Sequence, residues 1–112
     1  MKQALNTIPT REFEPALERF MYGARAIIRE YYTSNSLTVP ELVLEAPGAR
    51  YYRVVSTGPG DSRSAWAFID RTTGDVLKPA GWSKPAKHAR GNIFDDRKGL
   101  GAIGPYGPAY LR

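Results

Sequence analysis

From Thr10 onward, apolar side chains recur at three- and four-residue steps: Phe13, Leu17, Phe20, Met21, Ala24, Ile27, Ile28 and Tyr31. That spacing predicts an amphipathic helix with one apolar stripe sustained for about five turns. Pro15 lacks the N–H that a helix interior needs but suits a first turn, so the helix is expected to begin between Thr10 and Glu14. Glu12, Glu14 and Glu18 crowd its start and Arg25 and Arg29 lie toward its end, the arrangement that the helix dipole favours. Thr33-Ser34-Asn35-Ser36 should stop it, because these side chains compete for backbone hydrogen bonds. The nine residues before Thr10 show no periodicity and are expected to fray or pack loosely.

Beyond Ser36 the period changes from 3.6 to 2. Residues 37–46, LTVPELVLEA, form a short apolar stretch that Pro40 splits, which argues for an edge strand. Residues 50–56, RYYRVVS, are β-branched and aromatic and predict a strand. Strict alternation there separates Tyr52 and Val54 from Tyr51, Arg53 and Val55. TGPGDSRS at 57–64 is a turn cluster, and SAWAFID at 64–70 is the next strand. Alternation puts Trp66 and Phe68 on one face and Ala65, Ala67 and Ile69 on the other. RTTG at 71–74 is a hairpin turn with Gly74 free to take positive φ, and Asp75–Leu77 returns as a short strand.

Regular structure is harder to read after Lys78. The segment 78–94 carries two copies of KPA, beginning at Lys78 and Lys84, and is expected to be a loop with one helical turn at 85–89. Residues 99–112 hold four Gly and two Pro and predict a tail, either mobile or docked through Tyr106 and Tyr110. The fold class is α+β: one long N-terminal helix packed on an antiparallel sheet of three or four strands. Residues 1–98 would form the single domain and 99–112 the tail.

Composition narrows the chemistry. The 112 residues suffice for one core, burying roughly two-thirds of the unfolded surface. Cysteine is absent and histidine occurs once, which excludes a disulfide framework, a thiol nucleophile, an iron–sulfur cluster and a His-pair metal site. No apolar run reaches the length of a membrane span and the first residues lack a signal-peptide core, so a cytoplasmic protein is expected. Sixteen Lys and Arg oppose eleven Asp and Glu, a net charge of +5.

Much of that charge is concentrated. Between Asp75 and Asp95 no acid occurs, while Lys78, Lys84, Lys87 and Arg90 are interleaved with Trp82 and His88. Cations neutralise phosphates and an aromatic face stacks on a base regardless of sequence, the two needs of a single-strand binder. Tyr51 and Arg53 on a sheet face would extend such a surface. The plainer account is a solvated basic loop with Trp82 tucked into the core and strand aromatics used for packing. Arg19, Arg25 and Arg29 are read as a solvated helix face beside Glu18 and Glu30. The glycines at 58–60 lack the spacing of a nucleotide-binding loop.

Catalysis finds less support. His88 has no nucleophile marked near it. Asp95-Asp96 with Asp70 and Asp75 could attract a divalent cation, but Asp70 and Asp75 flank a turn, where aspartate is expected for local reasons. The expected function is therefore non-enzymatic binding of single-stranded nucleic acid, DNA favoured, with low sequence specificity and no cofactor. Its site would comprise Lys78, Trp82, Lys84, Lys87, His88, Arg90, Tyr51 and Arg53. A homo-oligomer is plausible on general grounds. The alternatives are a module that docks on an acidic protein partner and an oligomeric virion protein.

GDVLKPAGWSKPAKHARGNIFDD at 74–96, with AWAFIDRTTGDVLKPA leading into it, resembles a pattern of small bacteriophage-encoded proteins of unknown function. The resemblance covers residues 65–96. It implies a phage origin and action in the host cytoplasm, does not separate small basic proteins of replication from others that bind host enzymes, and brings no catalytic residues. The place in phage replication or DNA metabolism goes with the expected nucleic-acid binding.

Overall fold

The computed structural model describes residues 10–109, and the expectations for the first nine residues and for Tyr110 lie outside them. Helix α1 runs Thr10–Ser34. Most of the apolar stripe is buried: Phe13, Leu17, Phe20, Met21, Ala24 and Ile28 face the core together with Ala16, while Ile27 and Tyr31 at its flank and end are half-buried. The helix ends where Ser36 takes a left-handed φ of 60°, which lets Leu37 N–H reach back to the Tyr32 carbonyl at 2.8 Å.

Strands β1 (Glu41–Glu45), β2 (Tyr51–Thr57), β3 (Arg63–Asp70), β4 (Asp75–Leu77) and β5 (Gly91–Asn92) form one sheet in the order β1-β2-β3-β4-β5. Every neighbouring pair is antiparallel. β1 is an edge, as Pro40 implies. Arg25 on the helix bonds its Leu42 carbonyl through Nε and Nη2, at 3.3 and 2.9 Å. The sheet is larger than the alternating runs predict, because β5 is only two residues long and carries no alternation to read. Residues 85–89 form no helical turn. Pro79 pairs with Pro85 across a narrow loop instead, and Ala86 N–H bonds the Lys78 carbonyl.

The sheet buries both of its faces, and a bulge decides which residue goes where. Val54 stands opposite Ala67 but Val55 opposite Ala65, so Trp66 is one extra residue in β3. Trp66 therefore joins Ala67, Ile69, Val54 and Val76 against the helix. Phe68 is turned to the other face, opposite Arg53 and edge-on to Tyr51 at 6.1 Å. This corrects the simple alternation, which put Phe68 on the face of Trp66 and Ala67 on the opposite one. Strict period-2 reading holds only while no residue is inserted.

The Gly/Pro-rich segment 99–109 packs on the domain. Strands β6 (Ile103–Gly104) and β7 (Gly107–Pro108) make a hairpin, and Pro105 accepts the Trp66 indole N–H at 3.3 Å. Tyr106 remains exposed, its hydroxyl 2.9 Å from that of Tyr31 on the helix.

Candidate functional site

The face of the sheet turned away from α1 is covered by the loop 78–90. Val55 and Phe68 are buried there, outside the helix-side cluster. On this second layer the structure gathers Arg53, Arg63, Glu45 and Trp82. The Arg53 guanidinium lies 4.1 Å from the Trp82 ring centroid and that of Arg63 lies 5.4 Å away. Both cations reach Glu45: Arg53 Nη2 bonds Oε1 at 3.0 Å, and Arg63 Nη2 bonds Oε2. Arg53 Nη1 also donates to the Trp82 carbonyl at 3.4 Å.

Cross-strand geometry explains the cluster. Glu45 on β1 is the register partner of Arg53 on β2, and Arg63 opens β3 on the same side. Partial burial acts to raise the Glu45 pKa, but the hydrogen bonds and charges of Arg63 and Arg53 outweigh it and hold the carboxyl below the usual glutamate range. Arg53 is nearly enclosed, with a side chain 11% exposed and a buried Nε without a hydrogen-bond partner. It supports the indole from beneath instead of meeting solvent. Trp82 itself is 43% exposed.

The remaining predicted residues divide. Lys84, Lys87 and His88 are exposed on the loop. Lys78 and Arg90 hold the structure together: Lys78 Nζ bonds the Pro108 carbonyl at 3.0 Å, and Arg90 bonds the carbonyls of Lys87, His88 and Ala109 at 2.7, 2.6 and 3.1 Å. Tyr51 is partly buried against Phe68. Sequence reading missed Arg63 and Glu45. The alternation of β1 and β2 held a signal for Glu45, but the register that seats it opposite Arg53 was not legible.

The acidic residues do local work. Asp70 Oδ1 accepts Thr72 and Thr73 N–H at 2.7 and 3.0 Å. Asp95 accepts the N–H groups of Asn92, Arg97 and Gly99 at 3.0, 2.9 and 2.8 Å. Among the described residues no group of three or more His, Asp or Glu is placed to hold a metal ion, and no helix is long and apolar enough to cross a membrane. Burial acts to raise the Asp95 pKa, but the three N–H groups and the charge of Arg97 outweigh it and leave it lowered. The fold therefore favours the charged carboxylate. Its stabilisation is complete above the ordinary aspartate pKa of about 3.9 and is lost as pH falls through the lower folded value. Asp95 is exposed, so solvent screens its charge; Asp95→Ala, which removes three accepted N–H bonds, is expected to lower unfolding free energy by about 1 kcal/mol at neutral pH, and the loss should shrink on acidification. Urea titrations at neutral and acid pH test this; an equal loss at both would refute the charge assignment.

A family model, that of a family of unknown function (DUF7717), matches residues 11–103. No curated protein and no solved structure matches the chain.

Proposed function

We propose that this chain, which belongs to the family of unknown function DUF7717, binds single-stranded nucleic acid, with DNA favoured, through the loop layer of its sheet. One observation carries the reading: Trp82 is 43% exposed while the Arg53 guanidinium lies 4.1 Å from its ring centroid. A large apolar side chain held in place yet left in water suits stacking on a base. Arg63, Lys84 and Lys87 supply exposed positive charge on the same layer. The role is one of binding without reaction, and sequence selectivity is low because stacking on an aromatic ring and contacts to phosphates do not distinguish one base from another.

The cation count sets the salt dependence. With Lys78 and Arg90 engaged by backbone carbonyls, two or three phosphates are neutralised. At about 0.7 per phosphate for a single strand, affinity should fall about 7- to 20-fold between 50 and 200 mM salt. Trp82→Ala should weaken binding by about 1–3 kcal/mol, roughly 5- to 150-fold. Fluorescence anisotropy with labelled single-stranded and duplex DNA measures both quantities. Absence of single-strand binding at low salt, or an unchanged affinity in the Trp82 variant, would overturn the reading.

A further inference from the structure

Glu45 places a negative charge among the residues that would receive a nucleic-acid strand. It is not free to swing aside, because each of its oxygens is held: Oε1 by Arg53 Nη2 at 3.0 Å and Oε2 by Arg63 Nη2. Its side chain is 33% exposed, so the charge faces the solvent from which a ligand arrives. Strand pairing sets its place, since Glu45 lies opposite Arg53 in the register of β1 and β2. The two arginines beside Trp82 and this carboxylate therefore present one net positive charge instead of two. Neutralising two crowded guanidinium groups is its structural role. The fixed charge also bears on what can bind.

Single-stranded and duplex DNA meet that charge differently. A duplex offers this surface phosphates alone, because its bases are stacked on one another. It is also a stiff rod that carries about one charge per 1.7 Å of its axis. A duplex phosphate brought to Arg63, whose side chain is 43% exposed, brings others toward Glu45, and no stacking on Trp82 offsets the repulsion. A single strand gains the stacking term, whatever its sequence. Its backbone turns about the stacked base, so its phosphates lie toward Arg63, Lys84 and Lys87 and away from Glu45.

We infer that Glu45 is a specificity-determining residue: its fixed carboxylate beside Arg53, Arg63 and Trp82 rejects duplex DNA more strongly than it rejects a single strand. The inference rests on the nucleic-acid reading and supplies the source of its strand selectivity. A repulsive element of this kind is how a binding surface discriminates against a wrong partner that shares the attractive groups of the right one.

The test compares the full chain with its Glu45→Gln and Arg63→Gln variants. Anisotropy is followed with a labelled single strand and a labelled duplex of equal length, at about 50 and 200 mM salt. Glutamine keeps the side-chain length and an acceptor oxygen for the arginines while removing the charge. Glu45→Gln should tighten duplex binding about three- to fivefold at the lower salt. It should also steepen the log–log salt dependence of duplex binding by about 0.9, one further phosphate neutralised. Single-strand binding should tighten less, so the preference narrows. Arg63→Gln removes the cation and leaves the carboxylate, so the preference should widen. The opposite signs separate a charge effect from a loosened indole, because lost support of Trp82 weakens single-strand binding and narrows the preference in both variants. Narrowing in both, or a preference that neither variant moves, would overturn the assignment of Glu45 and leave the Trp82 reading standing. Absence of single-strand binding in all three proteins at low salt would overturn both.

Discussion

Phe20→Ala is expected to remove about 3–5 kcal/mol of stability, roughly a fifth or more of what a domain of this size commonly has. Phe20 is fully buried at the middle of the helix stripe. Beyond its ring lies Gly99, so close that a Cβ there would meet Phe20 Cδ1 at 3.1 Å. The helix backbone lies on one side of the ring and a tight left-handed turn on the other, with Gly99 at φ 79°. Neither can collapse far into the void, so the cavity cost adds to the transfer cost. Thermal unfolding should shift down by roughly 10–20 °C, and calorimetry reads this directly. A shift of only a few degrees would mean that the helix and the turn close over the gap.

Gly107→Ala should be nearly as damaging for a different reason. Gly107 sits at φ 103° in the C-terminal hairpin, and an added Cβ would stand 2.4 Å from the Trp66 carbonyl oxygen. The obstacle is a backbone carbonyl and a Cβ has no rotamer, so no side-chain rotation relieves the contact. Conformational strain alone costs about 1–3 kcal/mol, and the clash adds to it. The hairpin must lift away from β3, which breaks the bond between the Trp66 indole and the Pro105 carbonyl. In a Trp82→Phe background, Trp66 emission should move to the red and the urea midpoint should fall. Unchanged emission and midpoint would show that the hairpin does not bear on Trp66.

The helix was legible because its signal is long: a stripe from Phe13 to Ile28 survives the interruption at Pro15. Strands β2, β3 and β4 were legible from their β-branched and aromatic content and from the turn residues between them. What escaped was non-local. The extra residue at Trp66 leaves no mark in composition, yet it reverses the sides assigned to Phe68 and Ala67. The hairpin at 103–108 has too few residues to show a period and is held by contacts with a strand about forty positions earlier. At the candidate site, the sequence marked Trp82, Lys84 and Lys87 as an aromatic among cations, and these are exposed. It equally marked Lys78 and Arg90, whose cationic ends are held by backbone carbonyls. Residue type alone does not separate a cation that meets solvent from one that ties two segments together. Glu45 and Arg63 belong to the site through strand pairing, which only the fold supplies.

Those two ties have a thermodynamic consequence. Lys78 grips the Pro108 carbonyl and Arg90 joins Lys87 and His88 to Ala109. The loop that carries Trp82 and the C-terminal strand are thus linked equilibria. A ligand that favours the closed loop must favour the seated strand by the same free energy, and a strand that loosens must weaken the ligand reciprocally. In hydrogen exchange, slow amides around residue 108 would report occupancy at a surface on the opposite side of the sheet from the helix.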